Sequence, residues 1–105
     1  MKYNNMTAQS VLITGRRYFD KNGGNTYFSA NGYINGEVVA RIDYEYGYGD
    51  HYVDAITDKL EKLGYMPNRK HYEHGGTEPG WQYFRDNRSI PFNSEVSDVS
   101  RKKDL

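Results

Sequence analysis

Cysteine is absent from the 105-residue chain, which excludes disulfide bonds and thiolate metal sites. The chain also lacks an apolar signal-peptide core and any apolar run of transmembrane length, and both absences predict a cytoplasmic protein that does not enter a membrane. No phosphate loop of the Gly-x4-Gly-Lys-Ser/Thr type is present, so nucleotide hydrolysis is not expected. An excess of charge is missing as well, because 14 basic residues balance 14 acidic ones. A basic face for duplex DNA and a strongly acidic DNA mimic are therefore both disfavoured.

Aliphatic side chains are scarce, whereas tyrosine is abundant. Hydrophobic residues make up 36% of the sequence, and 11 tyrosines, 4 phenylalanines and 1 tryptophan account for 15%. A tyrosine ring combines a large apolar surface with a polar tip, which suits half-buried positions and interfaces. A chain of this length fits one domain with a modest core. Self-association into a homo-oligomer is therefore expected.

Three strand-like runs occupy residues 10–46, separated by the turn signals Asn22-Gly23-Gly24 and Asn35-Gly36. In the third run, alternation places Ile42 and Tyr44 on the apolar side. A two-residue turn at Asn35-Gly36 would leave Phe28 and Ala30 on the polar side of the hairpin. One extra residue at Asn31-Gly32 reverses this, so the sequence predicts a β-bulge near Gly32. The outward face of the sheet then carries Arg16, Tyr18, Tyr27, Ser29, Arg41 and Asp43.

An amphipathic helix is predicted after these strands. Asp50 is the expected N-cap, and Gly64 is placed to end the helix. With a rotation of about 100° per residue, four apolar side chains fall on one side of this helix and form a stripe. They are Val53, Ile56, Leu60 and Leu63.

Residues 69–73 and 81–85 are each predicted to form a short strand, and the composition becomes polar from residue 87 onward. The predicted fold is therefore α+β, with an antiparallel sheet of three to five strands in the order β-β-β-α-β-β packed by one amphipathic helix. We expect residues 1–9 to be a flexible leader and residues 10–86 to form the single domain. Residues 87–105 are expected to be a polar, mobile tail.

The segment between the third strand and the helix is the most distinctive part of the sequence. Gly47 and Gly49 lead into the helix start, where free N–H groups and the helix dipole favour an anion such as a phosphate. Tyrosines around this turn offer rings for stacking, and Arg16 offers an opposing charge. A purely structural interpretation carries more weight: the glycines form the turn, Asp50 caps the helix, and the tyrosines fill the sheet edge. The predicted ligand-binding residues are Arg16, Tyr18, Tyr27, Tyr46, Gly47, Tyr48, Gly49, His51 and Tyr52.

Catalytic and metal sites have little support in the sequence. His71 and His74 are three residues apart, which on a strand directs them to opposite faces. No Ser/His/Asp set stands out either. We therefore expect neither enzyme activity nor a metal or other cofactor. Arg17 is expected to face the core and to need a carboxylate partner, which leaves Arg16 as the better ligand candidate.

Three motifs resemble a pattern of small, uncharacterised accessory proteins of tailed bacteriophages: Arg16-Arg17-Tyr18-Phe19, Asn25-Thr26-Tyr27-x-Ser29 and Tyr46-Gly47-Tyr48-Gly49-Asp50-x-Tyr52. The resemblance covers residues 13–65 and carries no assigned functional residue. It implies a phage protein made in the host bacterial cytoplasm, where such proteins often counter host defence. Two functions follow as expectations. One is sequestration of a nucleotide-derived immune signal without catalysis, and the alternative is occlusion of a host defence protein in the manner of an anti-CRISPR protein.

Overall fold

A computed structural model of the chain describes residues 10–88 and 90–105, and the predicted leader at residues 1–9 lies outside the described residues. The elements are strands β1 (Val11–Asp20), β2 (Asn25–Ile34) and β3 (Glu37–Tyr46), helices α1 (His51–Lys62) and α2 (Gly80–Arg88), strand β4 (Phe92–Val99) and a short 3-10 helix at Lys102–Asp104. The strands form one sheet in the order β3-β2-β1-β4. The predicted α+β class is confirmed. The sheet is mixed rather than fully antiparallel, because β4 pairs in parallel with β1.

The turn between β2 and β3 follows the sequence prediction. Asn35 and Gly36 both have positive φ angles, 53° and 84°, as in the type I′ turn that Asn-Gly favours between antiparallel strands. The Oδ1 atom of Asn35 also accepts a hydrogen bond from the Ser10 backbone N–H at 3.2 Å. The turn is therefore tied to the residue that precedes β1.

A register shift between Gly32 and Tyr33 confirms the predicted bulge near Gly32. The extra residue is Val39 of β3, however, and not a residue of β2. Val39 packs against the hydrophobic core, so the bulge in β3 brings an additional apolar side chain inward. With this register, Phe28 and Ala30 lie on the core side of the sheet, as predicted.

A second bulge changes the face of the last residues of β3. Asp43 and Tyr44 together lie opposite one residue of β2, Ser29. Simple alternation places Tyr44 on the same side as Ile42, and that prediction is wrong. The bulge turns Tyr44 to the other side of the sheet, where its ring stacks on Tyr27.

Helix α1 packs on one side of the sheet, called here the inner face; the opposite side is the outer face. Ile56 and Leu60 of α1 are fully buried, and Ile13 and Phe28 of the strands belong to the same core. Each fully buried side chain of this kind contributes about 1.5–3 kcal/mol. Gly32 permits the close approach of the helix, because a Cβ atom there would lie 2.7 Å from Cγ2 of Ile56. The predicted apolar stripe therefore faces the sheet.

Gly64 ends α1 as predicted. Its φ angle is 95°, its N–H donates to the Glu61 carbonyl, and the Tyr65 N–H donates to the Leu60 carbonyl. This pair of hydrogen bonds is the Schellman motif. At the other end, Asp50 occupies the N-cap position, but its side chain makes no cap hydrogen bond.

The segment between α1 and α2 is held by one buried arginine. The Arg69 side chain is 2% exposed, and its Nη1 donates to Asp58 at 2.8 Å and to Glu61 at 3.0 Å. Its Nε donates to the backbone carbonyl of Glu78 at 2.8 Å. These contacts join the segment to α1 without a strand, so the predicted strand at residues 69–73 is wrong. The strand-like pairing found there is a single bridge between His71 and Thr77.

The carboxylate of Glu61 is shared between this arginine and a histidine. Its Oε2 atom lies 2.6 Å from Nε2 of His71. Burial raises the pKa of Glu61, but hydrogen bonds and positive charges from His71 and Arg69 outweigh that effect, so the pKa lies below its ordinary value. Within residues 10–88 and 90–105, no group of three or more histidine or carboxylate side chains could hold a metal ion.

Two predictions for the last part of the chain are wrong. Residues 81–85 belong to α2 rather than to a strand, because Tyr83 and Phe84 are both buried and the Phe84 ring stacks on Phe92 at 6.0 Å. Strand β4 pairs with β1 along its whole length. Residues 92–99, within the segment predicted to be a tail, therefore belong to the sheet of the domain.

Candidate functional site

The outer face carries an open cavity of about 650 Å³, called here the outer-face cavity. All four strands contribute to it. The β1–β2 register pairs Arg16 with Ser29 and Tyr18 with Tyr27, which confirms the outward face predicted from the sequence. The polar side chains that line the cavity are Thr14, Arg16, Ser29, Asn31, Tyr33, Arg41, Asp43, Glu95 and Ser97.

Arg16 and Arg17 point to opposite sides of β1. Arg16 lines the outer-face cavity, where its Nη1 donates to the backbone carbonyl of Asp104 at 3.1 Å. Arg17 lies on the inner side, where its Nε contacts Asp98 at 3.0 Å and its Nη1 donates to the Gly49 carbonyl at 3.2 Å. The prediction that Arg17 needs a carboxylate partner is confirmed. Arg16 forms no ion pair with any described residue.

The charges around the outer-face cavity are balanced. Arg41 adds a second positive charge, and its Nε donates to Oδ1 of Asn31 at 3.3 Å. Asp43 and Glu95 add two negative charges. Among the described residues no ion pair engages Arg41, Asp43 or Glu95. The charged groups of Arg41, Asp43 and Glu95 can therefore form ion pairs or hydrogen bonds with a ligand in the cavity.

Three tyrosines, called here the tyrosine cluster, adjoin the cavity on the outer face. The rings of Tyr27 and Tyr44 stack with centroids 5.1 Å apart and an interplanar angle of 14°. Tyr46 meets Tyr27 edge-on at 5.9 Å. Tyr44 and Tyr46 are 45% and 55% exposed, and an exposed aromatic ring is a surface on which a planar group can stack.

The structure divides the predicted ligand-binding residues among three places. Tyr48 and Gly49 line a separate cavity of about 400 Å³ beside Arg17, called here the smaller cavity. Gly47, His51 and Tyr52 lie at the turn into α1. The members that share the outer face are Arg16, Tyr18, Tyr27 and Tyr46.

The turn into α1 is packed rather than open. A Cβ atom on Gly47 would lie 2.5 Å from the ring of His51, whose centroid is 5.6 Å from that of Phe28. Tyr52 is 3% exposed, and its ring lies against Gly15. The prediction that Gly47 and Tyr52 face a ligand is wrong, because the core uses both. The structural interpretation of the turn holds for Gly47, whereas Tyr52 packs in the core instead of filling the sheet edge.

The contributors to the outer face that sequence reasoning missed include Tyr44, Glu95 and Ser97. Tyr44 is turned outward by the second bulge of β3, and no conflict in the alternation pattern marks that bulge. Glu95 and Ser97 reach the cavity from β4, in a segment predicted to be a tail. Only the pairing of β4 with β1 identifies Glu95 and Ser97, and this pairing joins residues that are far apart in sequence.

No described helix has the length and apolar character needed to cross a membrane. No protein-family model, curated protein or solved structure gives a significant match to the chain. The chemistry of the outer face is therefore the basis on which a function is assigned.

Proposed function

We propose that the protein sequesters a nucleotide-derived small molecule in the outer-face cavity without transforming it. The observation that carries the proposal is the position of Arg16. This cation lines the cavity with a backbone carbonyl as its partner, and the Tyr18–Tyr27 pair next to it leads to the tyrosine cluster. A phosphate is bound well by a guanidinium, and a base stacks on aromatic side chains. A volume of about 650 Å³ is in the range of small-molecule sites.

The balanced charges favour a ligand with few negative charges. Arg16 and Arg41 attract a phosphate group, whereas Asp43 and Glu95 repel a polyanion such as a nucleoside triphosphate. The same carboxylates accept hydrogen bonds from amino groups and ribose hydroxyls. Cyclic dinucleotides, with one charge on each phosphodiester, and ADP-ribose derivatives therefore suit the cavity better than a triphosphate does.

The phage-like motifs give this binding activity its proposed biological role. In this role the protein is an anti-defence accessory protein of a tailed bacteriophage, made in the host cytoplasm. It deprives the host of a nucleotide-derived immune signal by holding it in a stoichiometric complex. A homo-oligomer is the expected state, because the exposed rings of the tyrosine cluster offer further apolar area to bury.

A thermal-shift screen of cyclic dinucleotides and ADP-ribose derivatives tests this proposal. We expect at least one of them to raise the melting temperature, because a ligand that binds only the folded state stabilises it. The ligand is expected to be recovered unchanged from the denatured complex. ATP is the control, with a higher charge and a smaller expected shift. No shift with any cyclic dinucleotide or ADP-ribose derivative contradicts the proposal, and recovery of a cleaved ligand contradicts binding without catalysis.

A second function is favoured by aromatic side chains around the smaller cavity. Phe19 is 54% exposed and Tyr48 is 70% exposed, and both line that cavity. Exposed aromatic residues often anchor protein interfaces. The alternative function is therefore occlusion of a host defence protein.

Co-purification from host cells distinguishes the two functions. Occlusion predicts that one defence protein is retained in stoichiometric amount by the wild type and by Arg16→Gln. It also predicts that Tyr48→Ala loses this protein. Retention by Tyr48→Ala excludes the smaller cavity as the anchor.

A further inference from the structure

Residues 101–105 of the protein contact residues of the outer face, and Leu105 belongs to the wall of the outer-face cavity. The Asp104 carbonyl accepts the hydrogen bond from Arg16, and Leu105 lines the cavity wall. The Nζ atom of Lys102 lies 5.0 Å from the centroid of the Tyr44 ring. The segment therefore contacts a cation and an aromatic ring that the proposed ligand would use.

We infer that residues 101–105 are an internal competitor, which a ligand must displace from Arg16 and Tyr44. This inference rests on the proposed function. Tyr27 stacks on the Tyr44 ring and the ammonium of Lys102 lies over the same ring, so a base that stacks on Tyr44 must displace Lys102. At the other contact, the Asp104 carbonyl oxygen stands where a phosphate oxygen would accept from Arg16. Ligand and segment cannot hold both positions at once.

The attachment of the segment is weak enough to be displaced. Lys102 is exposed, and its cation–π contact is of the solvent-accessible kind. The short 3-10 helix is braced within itself, because Nε of Arg101 lies 3.1 Å from Oδ2 of Asp104. No ion pair links residues 101–105 to the rest of the described chain. Such contacts lower an apparent affinity by about two- to tenfold and do not close the site.

Three variants, each lacking one positive charge of the segment, test the inference in the full chain. Lys102→Gln removes the contact with Tyr44, and Arg101→Gln removes the brace to Asp104. Lys103→Gln is the matched control, because Lys103 is exposed and forms no ion pair with a described residue. In calorimetric titrations with ADP-ribose, the first two variants are expected to bind about two- to fivefold more tightly than the control.

Nuclear magnetic resonance gives a second readout that needs no ligand. Lys102→Gln and Arg101→Gln are expected to shift the signals of the Tyr44 ring and the Leu105 methyl groups, and Lys103→Gln is expected to leave them in place. Unchanged signals in all three variants would contradict the docking of residues 101–105 against Tyr44.

The titrations separate this inference from the proposed function. Equal affinity of the three variants for ADP-ribose would contradict the competition by residues 101–105, but it would not contradict the proposed binding function. Failure of every variant to bind ADP-ribose or a cyclic dinucleotide, the loosened variants included, contradicts the binding function and the competition together.

Discussion

Gly32 sets the distance between the sheet and α1 because it has no side chain. Its added Cβ would lie 2.7 Å from Ile56, which is β-branched, stiff and fully buried. Gly32→Ala is therefore expected to lower the free energy of unfolding by about 1–3 kcal/mol, measured by urea denaturation. Gly76→Ala is the control, because its Cβ would meet the Tyr72 ring at an ordinary 3.5 Å. Equal stability of Gly32→Ala and the wild type would contradict the close packing.

Glu61 gives the stability of the protein a defined dependence on pH. Its pKa is lowered in the folded state from an ordinary value of 4.5, since hydrogen bonds and charges from His71 and Arg69 prevail over burial. A lowered folded-state pKa stabilises the fold above the ordinary value, and this contribution disappears as the pH falls through the folded-state pKa.

Glu61→Gln, which cannot titrate, tests this dependence in urea denaturation across a pH series. The stability difference between the wild type and Glu61→Gln is expected to be full near neutral pH and to shrink as the pH falls below the ordinary glutamate value. Asp54→Asn, on the exposed side of the same helix, is expected to give no comparable change. A difference for Glu61→Gln that stays constant down to acid pH would exclude the lowered pKa.

For single residues, the sequence predicts the side to which a side chain points better than it predicts the residue that the side chain contacts. Alternation along β1 is enough to turn Arg17 inward and to require a carboxylate there. The partner Asp98 is 81 residues away, in a segment without a strand signal. For Tyr52 the predicted role was wrong, although the sequence contains the information needed to place it. Tyr52 precedes Ile56 by one helical turn, so the periodicity of α1 puts it on the buried face. Its aromatic character led to the mistaken ligand assignment.

Among the elements, β4 provides the clearest test of the fold. Phe92 stacks on the buried Phe84 and lies against Gly80. Phe92→Ala is therefore expected to destabilise the protein by about 2 kcal/mol, measured by thermal or urea unfolding. Asn93→Ala, at the exposed neighbouring position, is expected to change stability by about 0.5 kcal/mol or less. No effect of Phe92→Ala would mean that residues 92–99 are a tail after all.

Elements with a strong local period were predictable, and elements defined by distant partners were not. Helix α1 has an apolar stripe and a terminating glycine, and the β2–β3 turn has Asn-Gly. In β4 the apolar residues Phe92, Val96 and Val99 recur at intervals of four and three, which is a helical rather than a strand spacing. In α2, adjacent aromatic residues favour a strand locally, but burial of Tyr83 and Phe84 against neighbouring elements prevails.

At the scale of the whole molecule, about half of the candidate site could be read from the sequence. Strand pairing by number places Arg16, Tyr18 and Tyr27 on one outward face. The cavity beside them needs β4 and residues 101–105, which a parallel pairing with β1 brings across the sheet. Local patterns carry no information about such a pairing.

The oligomeric state is also a property of the whole molecule. Size-exclusion chromatography with light scattering is expected to show a mass of at least two chains, because the chain is rich in exposed tyrosine for its modest core. A single-chain mass at high concentration would contradict the homo-oligomer and leave the outer-face cavity as a site within one chain.

The most direct test of the central claim is a calorimetric titration of the best ligand from the screen into the wild type, Arg16→Gln and Lys21→Gln. Arg16 lines the outer-face cavity and Lys21 the smaller cavity, so each variant removes one positive charge from a different site. If the ligand binds at the outer face, Arg16→Gln weakens the affinity by about tenfold or more, and Lys21→Gln leaves it nearly unchanged. Wild-type affinity in Arg16→Gln would contradict the claim.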